Sequence, residues 1–257
     1  MAVFVTAEWV EAHIDSPAIL LLDPRRPMKY LQGHFKNAVN LPLYKAFDAE
    51  AKLLPDDDLQ RWIGVAGLGA RTTPVIYDGY DGQNGAMLAW ILEYFGRTDV
   101  HVLNVFFERW VAEGREVFYR PVMRTATTFT AVVNRDLRAT LADIRADPGC
   151  TLIDCRSREE YTGALDRDGK PGHIPGAKNI VWRDLIGPQQ EVLASPERIE
   201  QLARASGIQL GDRIVAYCRS GMRAAVGYLA LRHAGYDVRL YDRSYAEWAG
   251  SDLPVEV

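Results

Sequence analysis

Short apolar runs rich in β-branched residues alternate with stretches of helical periodicity along both halves of the chain. In the second half the runs Thr151 to Asp154, Arg213 to Tyr217 and Asp237 to Tyr241 predict strands. Between them, Ser195-Pro196-Glu197 has the chemistry of a helix start, with a serine cap and proline in the first turn, and Gly207 supplies a stop. A further helix runs from about Met222 to Ala234 and ends at Gly235. Strands that alternate with helices imply an α/β fold, a mainly parallel sheet flanked by helices on both faces.

The pattern is written twice. Leu21-Leu22-Asp23-Pro24-Arg25 returns as Leu152-Ile153-Asp154-Cys155-Arg156, and Gly33-His34-Phe35-Lys36-Asn37-Ala38 returns as Gly172-His173-Ile174-Pro175-Gly176-Ala177. Val75-Ile76-Tyr77-Asp78 returns as Val215-Ala216-Tyr217-Cys218, and Trp110 returns as Trp248. The matches keep their order at nearly constant spacing, so the chain reads as a duplicated domain of roughly 120 residues. The expected organisation is a first domain at 1–120, a linker at 121–130 without clear periodicity, and a second domain at 131–257.

Composition narrows the field. A content of 48% hydrophobic and 25% charged residues over 257 residues excludes a disordered chain, and a net charge of -4 leaves no basic footprint for nucleic acid. No apolar run approaches a membrane span, and Met1 to Glu8 has no cationic segment leading into an apolar stretch, so the expectation is a cytoplasmic protein. Cys150, Cys155 and Cys218 are an odd set without a Cys-x-x-Cys pair, which indicates neither a disulfide framework nor a zinc site; no metal or cofactor is implied.

The chemistry concentrates at Cys218-Arg219-Ser220-Gly221-Met222-Arg223, between a predicted strand and a predicted helix. A turn there aims backbone N–H groups and the positive helix end at one point, which favours an anion, here the sulfur of Cys218. The alternative, a buried structural cysteine, fits poorly with Arg219 and Arg223 so close by. Asp154, Arg156 and Cys218 all fall at carboxyl ends of strands and so share one sheet edge, where ligands bind in such folds. Asp78 holds the equivalent position in the first half and cannot carry a sulfur atom. His34 and His173 occur in both halves while only one half has the nucleophile, which favours a structural role. Cys155 reads as a core thiol, and its oxidation to a disulfide with Cys218 is a hypothesis that mass spectrometry under mild oxidation would test.

These residues resemble the tandem rhodanese family of sulfurtransferases over nearly the whole chain. The signatures are Asp154-Cys155-Arg156, the string Gly172 to Ala177, the six-residue loop from Cys218, and Trp248. The resemblance implies two rhodanese-like domains with the catalytic cysteine in the second alone. It implies that Cys218 takes a sulfur from a donor as a persulfide and passes it to cyanide, a small thiol or a thioredoxin-like protein. Arg219, Ser220, Gly221, Met222 and Arg223 would cradle that persulfide. Arg156, Arg167, Arg219 and Arg223 would meet an anionic donor, either thiosulfate or 3-mercaptopyruvate. Arg219 and Arg223 favour the dianion, thiosulfate. Ser220 matches the mercaptopyruvate branch, whose Ser-His-Asp set would draw on Asp23 and His34. A second reading is a persulfide carrier loaded by a partner protein. Phosphatases of a related fold use Cys-x5-Arg, one residue longer than the Cys-x4-Arg of Cys218 and Arg223, and the shorter loop suits a single sulfur atom.

Overall fold

A computed structural model describes all 257 residues, which form two compact units. The first comprises Met1–Val133 with Gln189–Val192, the second Asn134–Pro188 with Leu193–Val257. No helix is long and apolar enough to cross a membrane.

The first unit contains strands β1 (Val3–Val5), β2 (Ile19–Asp23), β3 (Val39–Asn40), β4 (Thr73–Ile76) and β5 (His101–Leu103). They form one parallel sheet in the order β1-β5-β4-β2-β3. Its helices are α1 (Ala7–His13), α2 (Pro27–Leu31), α3 (Asp56–Val65), α4 (Gln83–Tyr94) and α5 (Phe107–Ala112). Helix α4 is apolar on nearly all sides and is buried from Gly85 to Tyr94, as a helix laid on a sheet and covered again must be. Residues 121–130, expected to be a linker, lie along this unit: Val122 N donates to Tyr30 Oη (2.9 Å), and Thr127 donates to Gly64 O (2.9 Å) and Leu68 O (2.7 Å).

The second unit contains α6 (Leu141–Ala146), β6 (Thr151–Asp154), α7 (Arg158–Tyr161), β7 (Lys178–Asn179), α8 (Pro196–Ala205), β8 (Arg213–Tyr217), α9 (Met222–His233), β9 (Asp237–Leu240) and α10 (Ser244–Ala249). Its strands are parallel in the order β7-β6-β8-β9. The expected helix starts and stops are present: Ser195 accepts from Arg198 N at the head of α8, and Gly207 and Gly235 take positive φ just past the ends of α8 and α9.

Duplication extends to the hydrogen bonds. Arg25 grips Asp23 and the Gly33 carbonyl (2.8 Å); Arg156 grips Asp154 and the Gly172 carbonyl (2.8 Å). Tyr30 and Tyr161 donate to Ala38 O and Ala177 O, both at 2.8 Å, and Tyr77 and Tyr217 accept from Phe35 N and Ile174 N. His34 stacks on Tyr30 and His173 on Tyr161, at ring separations of 4.0 and 3.7 Å. The two histidines are therefore repeated packing elements, buried in both units. Trp110 and Trp248 close the two cores, each donating its indole N–H to a carbonyl six residues on.

Candidate active site

Cys218 follows the last residue of β8, and three residues later Gly221, at φ +86°, turns the chain into α9. This positive φ is the reason for glycine there. The loop is braced from below by α10. Ser244 Oγ accepts the N–H groups of Cys218 and Gly221, both at 3.1 Å, and donates to Tyr241 O at 2.7 Å. Tyr245 N donates to Cys218 O (2.9 Å), and Ala246 N donates to Arg219 O (3.0 Å). Ser244 is fully buried and holds a left-handed backbone, φ 55°, the strained conformation that aims its hydroxyl at two amides at once.

Of the cradle expected from Arg219 to Gly221 to Arg223, the Gly221 N–H is thus spent on Ser244. What remains includes the first amides of α9, at Met222 and Arg223, which have no carbonyl within the helix to accept them. Ser220, Met222 and Arg223 are half-buried, and Cys218 itself is only 1% exposed.

Four arginines surround this loop or its sheet edge, and each meets a carboxylate. Arg223 forms a two-pronged bond to Glu160, Nη1 to Oε2 at 2.6 Å and Nη2 to Oε1 at 3.0 Å, and stands near enough to Cys218 for a thiolate there to favour its charge. Burial works against its charge, but Glu160 and Cys218 outweigh it and hold the guanidinium above its ordinary range. Burial likewise opposes charge on Glu160, yet the bond to Arg223 brings this carboxyl down to about 2. Glu160 is placed by a capping box at the head of α7, in which Ser157 and Glu160 each bond the other's backbone N–H.

Arg219 is bidentate to Asp168, with Nε and Nη2 both 2.9 Å from Oδ1. Arg167 is largely exposed and lies 3.6 Å from Glu160. Arg156, expected to meet the donor, is instead 3% exposed, its guanidinium committed to Asp154 and the Gly172 carbonyl and laid 3.7 Å from the Tyr245 ring centre. Since Arg25 makes the same clamp in a unit without a cysteine, the geometry of Arg156 is that of a structural pair. Asp23 and His34, the expected partners of Ser220, are fully buried, with Asp23 bonded to Arg25 and Tyr77 and His34 stacked on Tyr30.

Cys155 lies in the strand register beside Cys218, because Asp154 pairs with Tyr217. It is fully buried, and burial followed by the neighbouring Cys218 pushes its thiol well above the usual range. A Cβ at Gly227 of α9 would stand 2.5 Å from the Cys155 sulfur, so this thiol fills the space under the helix.

The first unit shows the same architecture with an aspartate at the turn that holds Cys218 in the second. Asp78 N-terminal to α4 accepts from Gly79 N and Gly85 N, both at 2.8 Å, so a carboxylate fills the amide-lined turn. Its burial raises it to about 7. The loop to the capping glycine is one residue longer, Asp78 to Gly82 against Cys218 to Gly221. Asn84 holds the second helical position that Arg223 holds in α9, and Phe106 precedes Phe107 where Ser244 precedes Tyr245.

The rhodanese-like domain family matches this chain twice, over residues 6–113 and 137–251. The chain belongs to the rhodanese-like family. Curated relatives align over almost its whole length. A thiosulfate sulfurtransferase of Corynebacterium glutamicum is 29% identical, covering 98% of this chain and 89% of its own. The sulfur carrier protein TtuD of Thermus thermophilus is 28% identical, covering 96% and 93%. A putative thiosulfate sulfurtransferase, SseA, of Mycobacterium tuberculosis is 30% identical, covering 96% and 88%. Among solved structures, an anaerobic ergothioneine biosynthesis enzyme from Chlorobium limicola superimposes with a TM-score of 0.90 at 22% identity, over 99% of this chain and 70% of that one, a likeness of fold.

Cys218 and its loop lie within the second matched span. Ser244, Glu160 and Asp168 had escaped sequence reasoning. The Ser157-x-x-Glu160 spacing was a legible capping signal for one of them; nothing local marked Ser244 or Asp168.

Proposed function

We propose that the second unit moves a sulfane sulfur from thiosulfate to cyanide or a thiol through a persulfide on Cys218, by a two-step, ping-pong route. The Cys218 thiolate attacks the outer sulfur of thiosulfate, a new S–S bond forms, and sulfite leaves with the electron pair of the old one. The acceptor then attacks the outer persulfide sulfur; with cyanide, thiocyanate departs and the thiolate returns. The outer sulfur of the persulfide is anionic. It takes the free amides at the head of α9 and the Arg223 guanidinium as its counter-charges, in the manner of an oxyanion hole.

The observation that carries this reading is Cys218 at the head of α9, in a loop braced from beneath by Ser244, with the Arg223 guanidinium close enough to favour a thiolate. The relatives named thiosulfate sulfurtransferases support the donor. The test is steady-state turnover of thiosulfate with cyanide by the whole chain, expected to give parallel double-reciprocal lines and to vanish in Cys218→Ser.

The relative named as a sulfur carrier protein supports a second reading, in which Cys218 receives its sulfur from a partner protein. Persulfide formation with a partner desulfurase but never with thiosulfate or 3-mercaptopyruvate selects that reading over the first.

A further inference from the structure

Arg219 and Arg223 of the cysteine loop, and Arg156 at the adjoining sheet edge, are each paired with a carboxylate. Arg223, partly exposed, faces a buried Glu160, and the buried Arg156 faces the buried Asp154. Arg219 differs. Its side chain is 45% exposed, while its partner Asp168 is only 11% exposed. The acid is the fixed member of the pair. Asp166 Oδ1 accepts the N–H groups of Asp168 (2.9 Å) and Lys170 (3.2 Å), which curls the loop. Lys170 ties that loop down through Nζ to Ser251 O and Leu253 O, and its carbonyl accepts from Tyr245 Oη at 2.7 Å. Lys170 is thereby turned to the C-terminal segment and gives Asp168 no competing cation. Apart from the Asp168 pair, Arg219 is tethered by its backbone, through Arg219 O and Ala246 N.

We propose that Asp168 is a specificity-determining residue: its carboxylate occupies the Arg219 guanidinium, and an anionic donor must displace it to be held beside Cys218. This rests on the thiosulfate reading above. A guanidinium offers a planar fork that carboxylate and sulfonate oxygens fit alike, so Asp168 and the donor compete for the same donors. A dianion gains more from the freed cation than a monoanion does. Asp168 therefore weakens thiosulfate more than 3-mercaptopyruvate and narrows the preference between them.

The test compares the whole chain with Asp168→Asn, Arg219→Gln and the double variant. Turnover gives KM and kcat with each donor. Sulfate, added at increasing concentration, gives the half-protection of Cys218 against iodoacetamide, a readout that needs no turnover. Asparagine keeps the shape of Asp168, and the loop keeps its ties at Asp166 and Lys170. Asp168→Asn is expected to lower KM for thiosulfate about three- to tenfold with kcat held within about twofold, the scale of a partly exposed ion pair. The sulfate half-protection should fall by a similar factor, and KM for 3-mercaptopyruvate should fall less. In the Arg219→Gln background the same change should do nothing.

An unchanged or higher KM and half-protection in Asp168→Asn overturns the proposal. So does an equal gain with both donors, or a gain that persists without Arg219. If the wild type turns over neither donor while Asp168→Asn still tightens sulfate only when Arg219 is present, the donor reading fails and the competition between Asp168 and anions stands.

Discussion

At the residue scale the site is defined by who spends a hydrogen bond on whom. Ser244 satisfies two buried amides of the cysteine loop with one hydroxyl, and its removal leaves both without an acceptor, at about 1–3 kcal/mol each. Ser244→Ala is therefore expected to slow sulfur loading of Cys218 by about ten- to a hundredfold and to lower the unfolding midpoint, read by stopped-flow loading and thermal denaturation. Loading at the wild-type rate would show that the brace is not needed. Arg156 leads to a different expectation. Because its guanidinium neutralises Asp154 inside the fold, Arg156→Ala leaves a buried carboxylate unpaired and should cost about 3–5 kcal/mol of stability in urea unfolding. Arg25→Ala should cost the first unit a like amount through Asp23. A variant at Arg156 with full stability and a raised KM for thiosulfate would restore it to the substrate site.

At the element scale, two helix heads converge on the cysteine: α9 presents its amides, and α7 presents Glu160 through its capping box. Since Glu160 stands near 2 in the fold and near 4.5 when free, its contribution to stability is fully present above about 4.5. It is lost as pH falls toward 2. Glu160→Gln should flatten the acid limb of the stability curve over that window, measured by chemical denaturation at stepped pH. An unaltered limb would mean that the Arg223 pair does not hold Glu160 ionised.

Much of this scale was legible beforehand. Strand β8, the glycine turn and helix α9 follow from Ile214 to Tyr217, Gly221 and the stop at Gly235, and the caps of α8 from Ser195 and Pro196. What was not legible is long-range. Ser244 reaches back to Cys218 across 26 positions of sequence and Asp168 reaches Arg219 across 51, and no local pattern encodes such partners. The Asp-x-Arg string after a strand points to a donor site in the sequence, but in the structure it also marks a clamp that occurs in both units. The segment 121–130 lacked periodicity because it is an extended strap on the first unit, bonded through Thr127 rather than through a repeating face.

At the scale of the whole molecule, the two units share a framework and differ at the turn that holds Cys218 in the second. Both units retain the Asp-Arg clamp, the stacked histidine and the closing tryptophan, while Cys218, Arg223 and Ser244 face Asp78, Asn84 and Phe106 at the corresponding positions. The two units therefore differ at this turn by more than one side chain. Placing Asp78→Cys in a Cys218→Ser background should yield a folded protein that gains no sulfur, because the longer loop lacks both the guanidinium and the hydroxyl brace. Sulfur on that cysteine, seen by peptide mass spectrometry, would show that a nucleophile alone suffices. Asp78→Ala in an otherwise intact chain should leave turnover within about twofold of wild type, the range of a substitution outside the reacting groups. A large loss of turnover with the fold preserved would give the first unit a part in the chemistry.

In the proposed route Cys218 carries the transferred atom. Intact-protein mass spectrometry after brief exposure to thiosulfate tests it directly. A gain equal to one sulfur atom is expected, located on Cys218 by peptide analysis, removed by cyanide and absent from Cys218→Ser. No gain with thiosulfate, or a gain that survives Cys218→Ser, would contradict it.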